Sequence, residues 1–174
     1  CHQFGPEGRE PALHLRELDA FLARAQRALR GTDTLLLVTA DHGHMQTRKL
    51  VDLSAIPGFY DTLSILPSGD ARMVQCFVRP AKVKEFLRLV RSPPLQNATA
   101  CATQAAVLRA GLLGPGKPHP ALRQRLGDYI LFAAPGHALA YPPALSPEKP
   151  PKFGNHGGLS ADELVVPLFT IHPE

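Results

Sequence analysis

Cysteine is scarce in this sequence and follows no recognisable pattern. Only three cysteines occur among the 174 residues, Cys1, Cys76 and Cys101, and no two of them have CxxC spacing. An odd number with these separations argues against both a disulfide framework and a thiolate zinc site. We therefore expect three free thiols, with Cys76 buried because it lies in the apolar run RMVQCFV.

Long apolar runs and dense basic clusters are also lacking. No run approaches the roughly 18 to 20 apolar residues that a membrane-spanning helix needs, and the N-terminus lacks the basic-then-apolar pattern of a secretory signal. The 19 Lys and Arg against 15 Asp and Glu suit anionic substrates but form no cluster typical of a nucleic-acid-binding protein. We expect no nucleic-acid partner and no membrane segment in these residues. Compartment and oligomeric state are not indicated.

What the sequence does have is enough apolar material for one domain with a substantial core, since 44% of its residues are hydrophobic. It begins with Cys rather than Met, directly in the loop-like stretch CHQFGPEGREP. We interpret the chain as the C-terminal piece of a longer protein.

Residues 11–30 carry the pattern of an amphipathic helix. Pro11 suits the first turn of a helix, and Gly31 suits its end. Between them, apolar residues recur at spacings of three and four, namely Leu15, Leu18, Leu22, Ala25 and Leu29. Residues 34–40, TLLLVTA, follow as a continuous apolar run that is typical of an interior strand in a parallel sheet. A helix followed by such a strand is half of a βαβ unit.

The next part of the sequence is typical of a small α+β insertion, which we place at residues 59–142. The runs DTLSIL and RMVQCFV predict a hairpin that turns at 67–70, PSGD, and helices are predicted at 81–91 and 104–110. Two more strands, DYILFAA and ALAY, are predicted on either side of a hairpin tip at 135–137, PGH.

A proline-rich linker, YPPALSPEKPPKFG, leads to the closing segment NHGGLSADELVVPLFTIH. There Ser160 and Glu163 have the spacing of a capping box, which predicts a short helix, and residues 165–171 predict a last strand. The chain therefore divides into α/β segments at 1–58 and 143–174, which are separated by the insertion.

The strand predicted at 34–40 stops abruptly at Asp41-His42-Gly43-His44. In an open parallel α/β sheet, ligands bind beyond the carboxyl ends of the strands, which is where Asp41 and His42 are expected. Both side chains can reach one metal ion if the chain turns sharply at Gly43, and a carboxylate with an imidazole suits zinc or another divalent first-row metal. Taken alone, such a dipeptide is more often a polar cap on a strand end than a metal site.

Two further histidines lie in similar glycine-bearing loops. His2 belongs to CHQFGP and His156 to GNHGG, where the backbone can approach a ligand closely. His44 follows the Asp-His pair by two residues and stays unassigned. For the helix, bend, hairpin-tip and C-terminal histidines we expect a solvated surface role; these are His14, His119, His137 and His172.

Three of these segments together resemble the alkaline phosphatase superfamily and, within it, the type I phosphodiesterase and nucleotide pyrophosphatase family. TADHGH ends a strand, GNHGGLSADELVVPL lies near the C-terminus, and CHQFGP precedes an amphipathic helix. Each motif is weak by itself, whereas three in this order are specific. The resemblance covers almost the whole chain, and the insertion shares the order of elements and phrases such as GLLGPGKPHPALRQRLGDYI.

The resemblance implies an α/β fold with an alkaline-phosphatase-like sheet and flanking helices, in which the first and last segments belong to the catalytic core. It also implies two divalent metal ions, with zinc first and manganese or another divalent ion as alternatives. Asp41 and His42 correspond to the family's pair on one ion, and His2 and His156 correspond to ligands of the other. The family's remaining Asp ligands and its Thr or Ser nucleophile would fall before residue 1, so we expect no catalytic nucleophile in this chain.

The implied function is metal-dependent hydrolysis of phosphodiester or pyrophosphate bonds in a small phosphorylated substrate such as a nucleotide. By itself, this chain is expected to be inactive. Phosphomonoester and phosphonate hydrolysis are alternatives within the superfamily because the metal core is shared. A non-catalytic binding module on the same fold is the alternative from another class, and the upstream sequence discriminates between them.

Overall fold

The computed structural model describes residues 1–141 and 152–172, which form two compact units. The first unit comprises Cys1–Thr47 and Pro150–Glu174, and the second comprises Arg48–Lys149. Most of the predicted proline-rich linker, residues 142–151, lies outside the described residues. None of the described helices is long and apolar enough to cross a bilayer. The combination of helices and small sheets is a mixed α/β fold.

The helices and strands of the described residues have the following bounds. The helices are α1 (Arg9–Ala28), α2 (Val83–Val90), α3 (Gln104–Arg109), α4 (Leu122–Arg125) and α5 (Ala161–Leu164). The strands are β1 (Leu36–Thr39), β2 (Met45–Gln46), β3 (Lys49–Asp52), β4 (Ser68–Asp70), β5 (Met73–Cys76), β6 (Thr99–Thr103), β7 (Tyr129–Ala133), β8 (His137–Ala140), β9 (Gly154–Asn155) and β10 (Leu168–Ile171).

In the first unit, α1 confirms the helix that the apolar spacing predicts. Pro11 lies in its first turn, where a missing N–H group costs no hydrogen bond. Beyond the C-terminal end, Gly31 has a φ of 69°, a left-handed conformation that glycine adopts without steric cost. The helix boundaries therefore follow from local sequence signals.

The strand predicted at 34–40 is present as β1, but its environment differs from the prediction. It pairs with β10 in antiparallel register, with Leu36 opposite Ile171, and its residues alternate between half-buried and exposed. The side of the strand that carries Leu37 is open to solvent, because Leu37 is 57% exposed. A fully buried, parallel strand was the wrong prediction for the described residues, because an apolar run does not encode the direction of its partner.

Large apolar side chains of the first unit are mostly exposed. All the buried hydrophobic residues of the described ranges belong to the second unit. Exposed apolar area of this extent is typical of a surface that another element covers. The exposed set on α1, β1, α5 and β10 and beside them is Leu13, Leu15, Leu18, Phe21, Leu35, Leu37, Leu164, Val165, Leu168 and Phe169.

The second unit is built on a four-stranded antiparallel sheet in the order β4-β5-β7-β6, together with a parallel pair of β3 and β8. Its core packs α2 and the segment before β4 together with strands of the sheet. Phe86 of α2 is fully buried, and its ring centroid lies 5.9 Å from that of Phe59 and 5.1 Å from that of Tyr129. Aromatic contacts at this separation add to the area that the rings bury.

Two predicted hairpins need correction. The first turns later than predicted, because the predicted turn residues 68–70 form β4, which pairs with β5, and the chain turns at 71–72. Of the predicted strand at 61–66, only Leu63 takes part in a single bridge, to Val78. The second is not a hairpin, because β7 pairs with β5 and β6 whereas β8 runs parallel to β3. His137 is consequently the partly buried first residue of a strand and not a hairpin tip. Proline and glycine at 135–136 indicated a turn correctly, but not where the chain goes after it.

The boundaries of the second unit also differ from the predicted insertion at 59–142. The unit starts at Arg48 because β3, which follows directly, pairs with β8. Its role as an insertion into a larger catalytic core stays a prediction.

The cysteines agree with the expectation of free thiols. Cys1 and Cys101 are exposed and Cys76 is buried, with no disulfide between them. Burial raises the pKa of the Cys76 thiol far above its usual range, so this side chain stays protonated and behaves as a small apolar residue. Cys101 lines a cleft beside α2, where desolvation raises its pKa to about 11.

Candidate metal centre

Three chain segments of the first unit meet at one short antiparallel pair. β2 and β9 pair with Met45 opposite Asn155, so His44 and His156 lie next to each other at the end of this ladder. The N-terminal loop joins them because the His2 carbonyl accepts hydrogen bonds from the Phe153 and Gly154 amides, at 2.9 and 3.0 Å. Backbone pairing therefore brings histidines from both ends of the chain to one place.

The result is a cluster of four imidazole rings, His2, His42, His44 and His156. The His42 ring stacks on the His156 ring at a centroid distance of 3.7 Å. The His44 ring lies 4.7 Å from that of His2, 5.0 Å from that of His42 and 5.4 Å from that of His156. The His2 and His156 rings are 5.2 Å apart. Four neighbouring rings, of which His44 and His156 each contact the other three, are an unusual concentration of nitrogen ligands.

Asp41 adds a carboxylate to the edge of this histidine cluster. Its Oδ1 atom accepts a hydrogen bond from the His42 amide at 3.0 Å, and its Oδ2 atom lies 3.5 Å from His42 Nε2. The Asp41 side chain is 86% exposed, so it has few protein contacts that would hold it away from a cation. The Asp-His pair can thus present one oxygen and one nitrogen to a single ion.

Hydrogen bonds to backbone carbonyls orient two of the rings. His2 Nδ1 lies 2.8 Å from the Gly154 carbonyl oxygen, and His42 Nδ1 lies 2.8 Å from the Gly43 carbonyl oxygen. A carbonyl oxygen can only accept, so each Nδ1 atom carries the proton. The Nε2 lone pair of each ring is left for a ligand, which is the usual arrangement of metal-binding histidines.

His44 is partly desolvated by its position in the histidine cluster. Its Nε2 atom is buried and has no hydrogen-bond partner in the described part of the chain. Burial lowers the pKa of His44 from 6.5 to about 4, and the nearby His2, His42 and His156 rings contribute to the same shift. The ring is therefore neutral at pH 7, the form in which imidazole binds metals.

Gly43 is required by close packing rather than by an unusual backbone angle. Its amide donates to the Glu163 carbonyl at 2.9 Å, and a Cβ atom at position 43 would lie 1.9 Å from the Asp162 carbonyl oxygen. Its φ is not positive, and the residue packs directly against α5. This contact holds the Asp-His-Gly-His segment against the closing segment of the chain.

The buried carboxylate of Glu163 organises the loop that follows His156. The prediction of a helix start at Ser160 is confirmed, but the hydrogen bonds are not those of a capping box. Glu163 is 2% exposed and accepts from the Gly158 amide at 2.9 Å and from Ser160 Oγ at 2.6 Å. One side chain thus satisfies two donors of the loop that carries His156.

Replacing Glu163 with alanine is expected to lower the free energy of unfolding by about 2 to 3 kcal/mol, because one buried and one partly buried donor lose a charged acceptor. Urea denaturation of the 174-residue chain measures the change. Asp162→Ala is the matched control, since Asp162 is the exposed neighbour on the same helix. Equal effects of the two substitutions would contradict the assigned role of Glu163.

Of the four predicted site residues, the structure brings the three histidines His2, His42 and His156 into contact and places Asp41 beside them. Their role as metal ligands stays a prediction. Sequence reasoning left His44 unassigned. The alternation of side chains in extended backbone was the available signal, since it puts residues two apart, such as His42 and His44, on one side.

The remaining histidines lie elsewhere. His14, His119 and His172 are exposed, as expected, and His14 Nδ1 lies 3.2 Å from Glu17 on α1. His137 differs from the prediction, because it begins β8 and its carbonyl oxygen accepts from Arg72 Nη1 at 2.6 Å.

The donor set of the histidine cluster fits a divalent first-row metal. One ligand atom from each of His2, His44 and His156 lies within 4.8 Å of the others. Zinc bound by nitrogen at about 2.0 to 2.1 Å in a tetrahedral site needs ligand atoms about 3.3 Å apart, so the rings would close in by about 1.5 Å or less. Such a movement is within reach of imidazole rotation about χ1 and χ2.

The sequence matches the model of one known protein family. Residues 1–159 match the model of the family described as type I phosphodiesterase / nucleotide pyrophosphatase. None of the curated proteins matches the chain.

The fold is similar to several solved structures. Human ectonucleotide pyrophosphatase / phosphodiesterase 5 superposes with a TM-score of 0.71 at 16% identity, over 97% of this chain and 43% of that one. An inactive variant of the murine protein in complex with AMP gives 0.66 at 15% identity, over 97% and 42%. Phosphonoacetate hydrolase from Sinorhizobium meliloti 1021, in complex with phosphonoformate, gives 0.64 at 18% identity, over 97% and 42%.

At these identities the similarity establishes the fold. The chain spans about two fifths of the length of the solved structures it matches. The family model covers most of the chain and includes all four predicted site residues. The chain therefore belongs to the type I phosphodiesterase / nucleotide pyrophosphatase family.

Proposed function

We propose that this chain is part of a metal-dependent hydrolase that cleaves phosphodiester or pyrophosphate bonds. The chain supplies ligands for two divalent ions, for which zinc is the first candidate. The observation that carries the proposal is the contact between His2, His42 and His156, which come from both ends of the chain. Asp41 and His42 are the pair on one ion, and His2 and His156 are ligands of the other.

In this proposal, two bound ions would stabilise the attacking and leaving oxygens of an in-line displacement at phosphorus. The residues of this chain would orient the ligand atoms. The Gly154 and Gly43 carbonyls hold the protons of His2 and His42 on Nδ1, so that Nε2 faces the site. Asp41 contributes the negative charge that offsets the cations, and the contact of Gly43 with Glu163 keeps the pair in place.

The nucleophile in this proposal is a Thr or Ser upstream of residue 1, together with the remaining Asp ligands. The exposed apolar side chains of α1, β1 and β10 support an upstream segment, because it would cover them as part of a larger sheet. The substrate is a small phosphorylated molecule such as a nucleotide. This class agrees with the AMP and phosphonoformate complexes of the structurally similar proteins.

We expect the 174-residue chain to bind zinc weakly in calorimetry and to show no turnover of a chromogenic phosphodiester. The same protein with its upstream residues is expected to hydrolyse that substrate, and to prefer it over a chromogenic phosphomonoester and over phosphonoacetate. Turnover by the pure 174-residue chain would overturn the placement of the nucleophile. No hydrolysis of any substrate by the extended protein loaded with zinc would favour a non-catalytic module.

A further inference from the structure

We propose that His44 is a direct ligand of the metal ion held by His2 and His156, so that this ion has three imidazole ligands from the chain. The inference rests on the proposed function, since it adds a ligand to one of its two metal sites. It assigns a role to a histidine that lies outside the Asp-His pair and that the sequence left unassigned.

The position of His44 is set by backbone pairing. Met45 lies opposite Asn155 in the β2–β9 ladder, so the residue before Met45 and the residue after Asn155 face each other. His2 reaches the same end of the ladder because its carbonyl accepts from the amides of Phe153 and Gly154. Three imidazoles are therefore presented by three segments that are hydrogen-bonded to one another.

The ring geometry suits a shared ion. The His44 ring stands nearly perpendicular to the His2 and His156 rings, with interplanar angles of 75° in both cases. One ligand atom from each of the three rings lies within 4.8 Å of the others. By contrast, His42 stacks on His156 at an interplanar angle of 19°, which agrees with its assignment to the neighbouring ion.

The hydrogen bonding of His44 also supports its role as a metal ligand. His44 Nε2 is buried and has no partner among the described residues. Buried polar atoms are almost always satisfied, so an unpaired imidazole nitrogen that faces two other imidazoles needs an explanation. A metal ion satisfies it, because the nitrogen that lacks a hydrogen bond is then a ligand atom.

Three imidazoles also define the chemistry of the ion. Imidazole suits zinc, copper, nickel and iron among first-row metals, whereas magnesium and calcium prefer oxygen ligands. A three-histidine set is a known zinc arrangement, and it leaves a fourth position for another ligand, such as an upstream Asp of the proposed function. The ion at this site is therefore expected to be zinc or a similar transition metal, and the site should discriminate strongly against magnesium.

The test uses the 174-residue chain and measures metal binding rather than activity. Zinc affinity is measured by calorimetry, and cobalt(II) is added as a spectroscopic probe of coordination. The variants are His44→Ala, His44→Gln and His156→Ala, with His14→Ala as the matched surface control. Melting curves confirm that each variant is folded, and His44→Gln retains a polar side chain if the alanine variant proves unstable.

For His44→Ala and His44→Gln we expect a loss of zinc affinity of about 100-fold or more at one site and a changed cobalt(II) absorption spectrum. Loss of a direct ligand should exceed the roughly 10- to 100-fold effect of losing an outer partner. His14→Ala should bind as the unchanged chain does. X-ray absorption on the zinc-loaded chain should count three imidazoles on one ion.

Two failures are distinguishable. If both His44 variants bind zinc within about threefold of the unchanged chain while His156→Ala loses binding, His44 is not a ligand and the proposed function stands. Restoration of affinity by glutamine alone would make His44 a hydrogen-bonding residue and would also overturn the inference. If His156→Ala binds zinc normally as well, the two-metal proposal itself is wrong.

Discussion

In the complete enzyme, replacing His156 with alanine is expected to lower turnover by about 1,000-fold or more while the protein stays folded. Metal stabilisation of a phosphoryl transition state is worth several kcal/mol, and each 1.36 kcal/mol corresponds to a factor of ten in rate. His156 stacks on His42 and contacts His2, so its loss removes one of the proposed ligands from the histidine cluster.

The measurement is kcat on a chromogenic phosphodiester with zinc or manganese in excess, alongside the melting temperature. Excess metal separates a loss of affinity, which it restores, from a loss of the catalytic arrangement, which it does not. His14→Ala is the control, because this exposed histidine contacts Glu17 on α1 and lies outside the histidine cluster. His137 is unsuitable as a surface control, since it is the half-buried first residue of β8 and its Nδ1 atom lies 3.0 Å from the Pro135 carbonyl oxygen.

Near-normal turnover by a folded His156→Ala enzyme would remove His156 from the ligand set. The strongest link between the closing segment and catalysis would then be lost. Asp41 and His42 could still hold one ion, so their variants would need to be tested separately.

The largest effect on stability is expected from Arg72→Met in the second unit, a loss of about 3 kcal/mol in the free energy of unfolding. Arg72 is 2% exposed, and its Nη1 atom donates to the carbonyls of Ala134 at 2.8 Å and His137 at 2.6 Å. Hydrogen bonds from a charged group are worth about 1.5 to 3 kcal/mol each, and methionine donates to neither carbonyl. The Ala134 carbonyl keeps a hydrogen bond from the His137 amide at 3.0 Å, which limits the loss.

Burying the guanidinium costs desolvation free energy, which the methionine variant avoids. The summed free energy of the two hydrogen bonds is therefore an upper limit to the loss of stability. Urea denaturation measures the difference, with Arg109→Met as the control because Arg109 is exposed on α3. A surface substitution should change stability by no more than about 0.5 kcal/mol. If Arg72→Met matched this control, the two carbonyls would have to find other partners, and the bend between β7 and β8 would not depend on Arg72.

The sequence predicted the turn at 135–136 but not the course of the chain after it, and the partners of Arg72 show why. The proline-glycine pair predicts a reversal of the chain, and a hairpin is the simplest result. In the structure the bend lies against the buried guanidinium, and β8 continues beside β3. Arg72 lies more than 60 positions earlier in the chain, and no local pattern reveals that it donates to carbonyls at both ends of this bend.

The histidine cluster shows the same limit at the candidate site. Recognition of three motifs in order identified the family and three of the four clustered histidines. His44 was missed because its neighbours are set by β2 and β9, and strands of two residues carry no detectable periodicity. Once Met45 is known to lie opposite Asn155, the contact between His44 and His156 follows from the register.

The amino-acid sequence by itself determined the local elements of this protein: the amphipathic α1 between Pro11 and Gly31, the existence of β1, the start of α5 at Ser160, and the Asp-His pair just beyond β1. Each depends on residues within one or two turns of each other, where spacing and backbone preference decide the conformation. Only the tertiary structure decided the antiparallel partner of β1, the parallel course of β8 and the convergence of His2, His44 and His156. These features depend on pairing between segments that are far apart in the chain. Local preferences do not distinguish the possible strand partners and directions, whereas burial and backbone hydrogen bonding do.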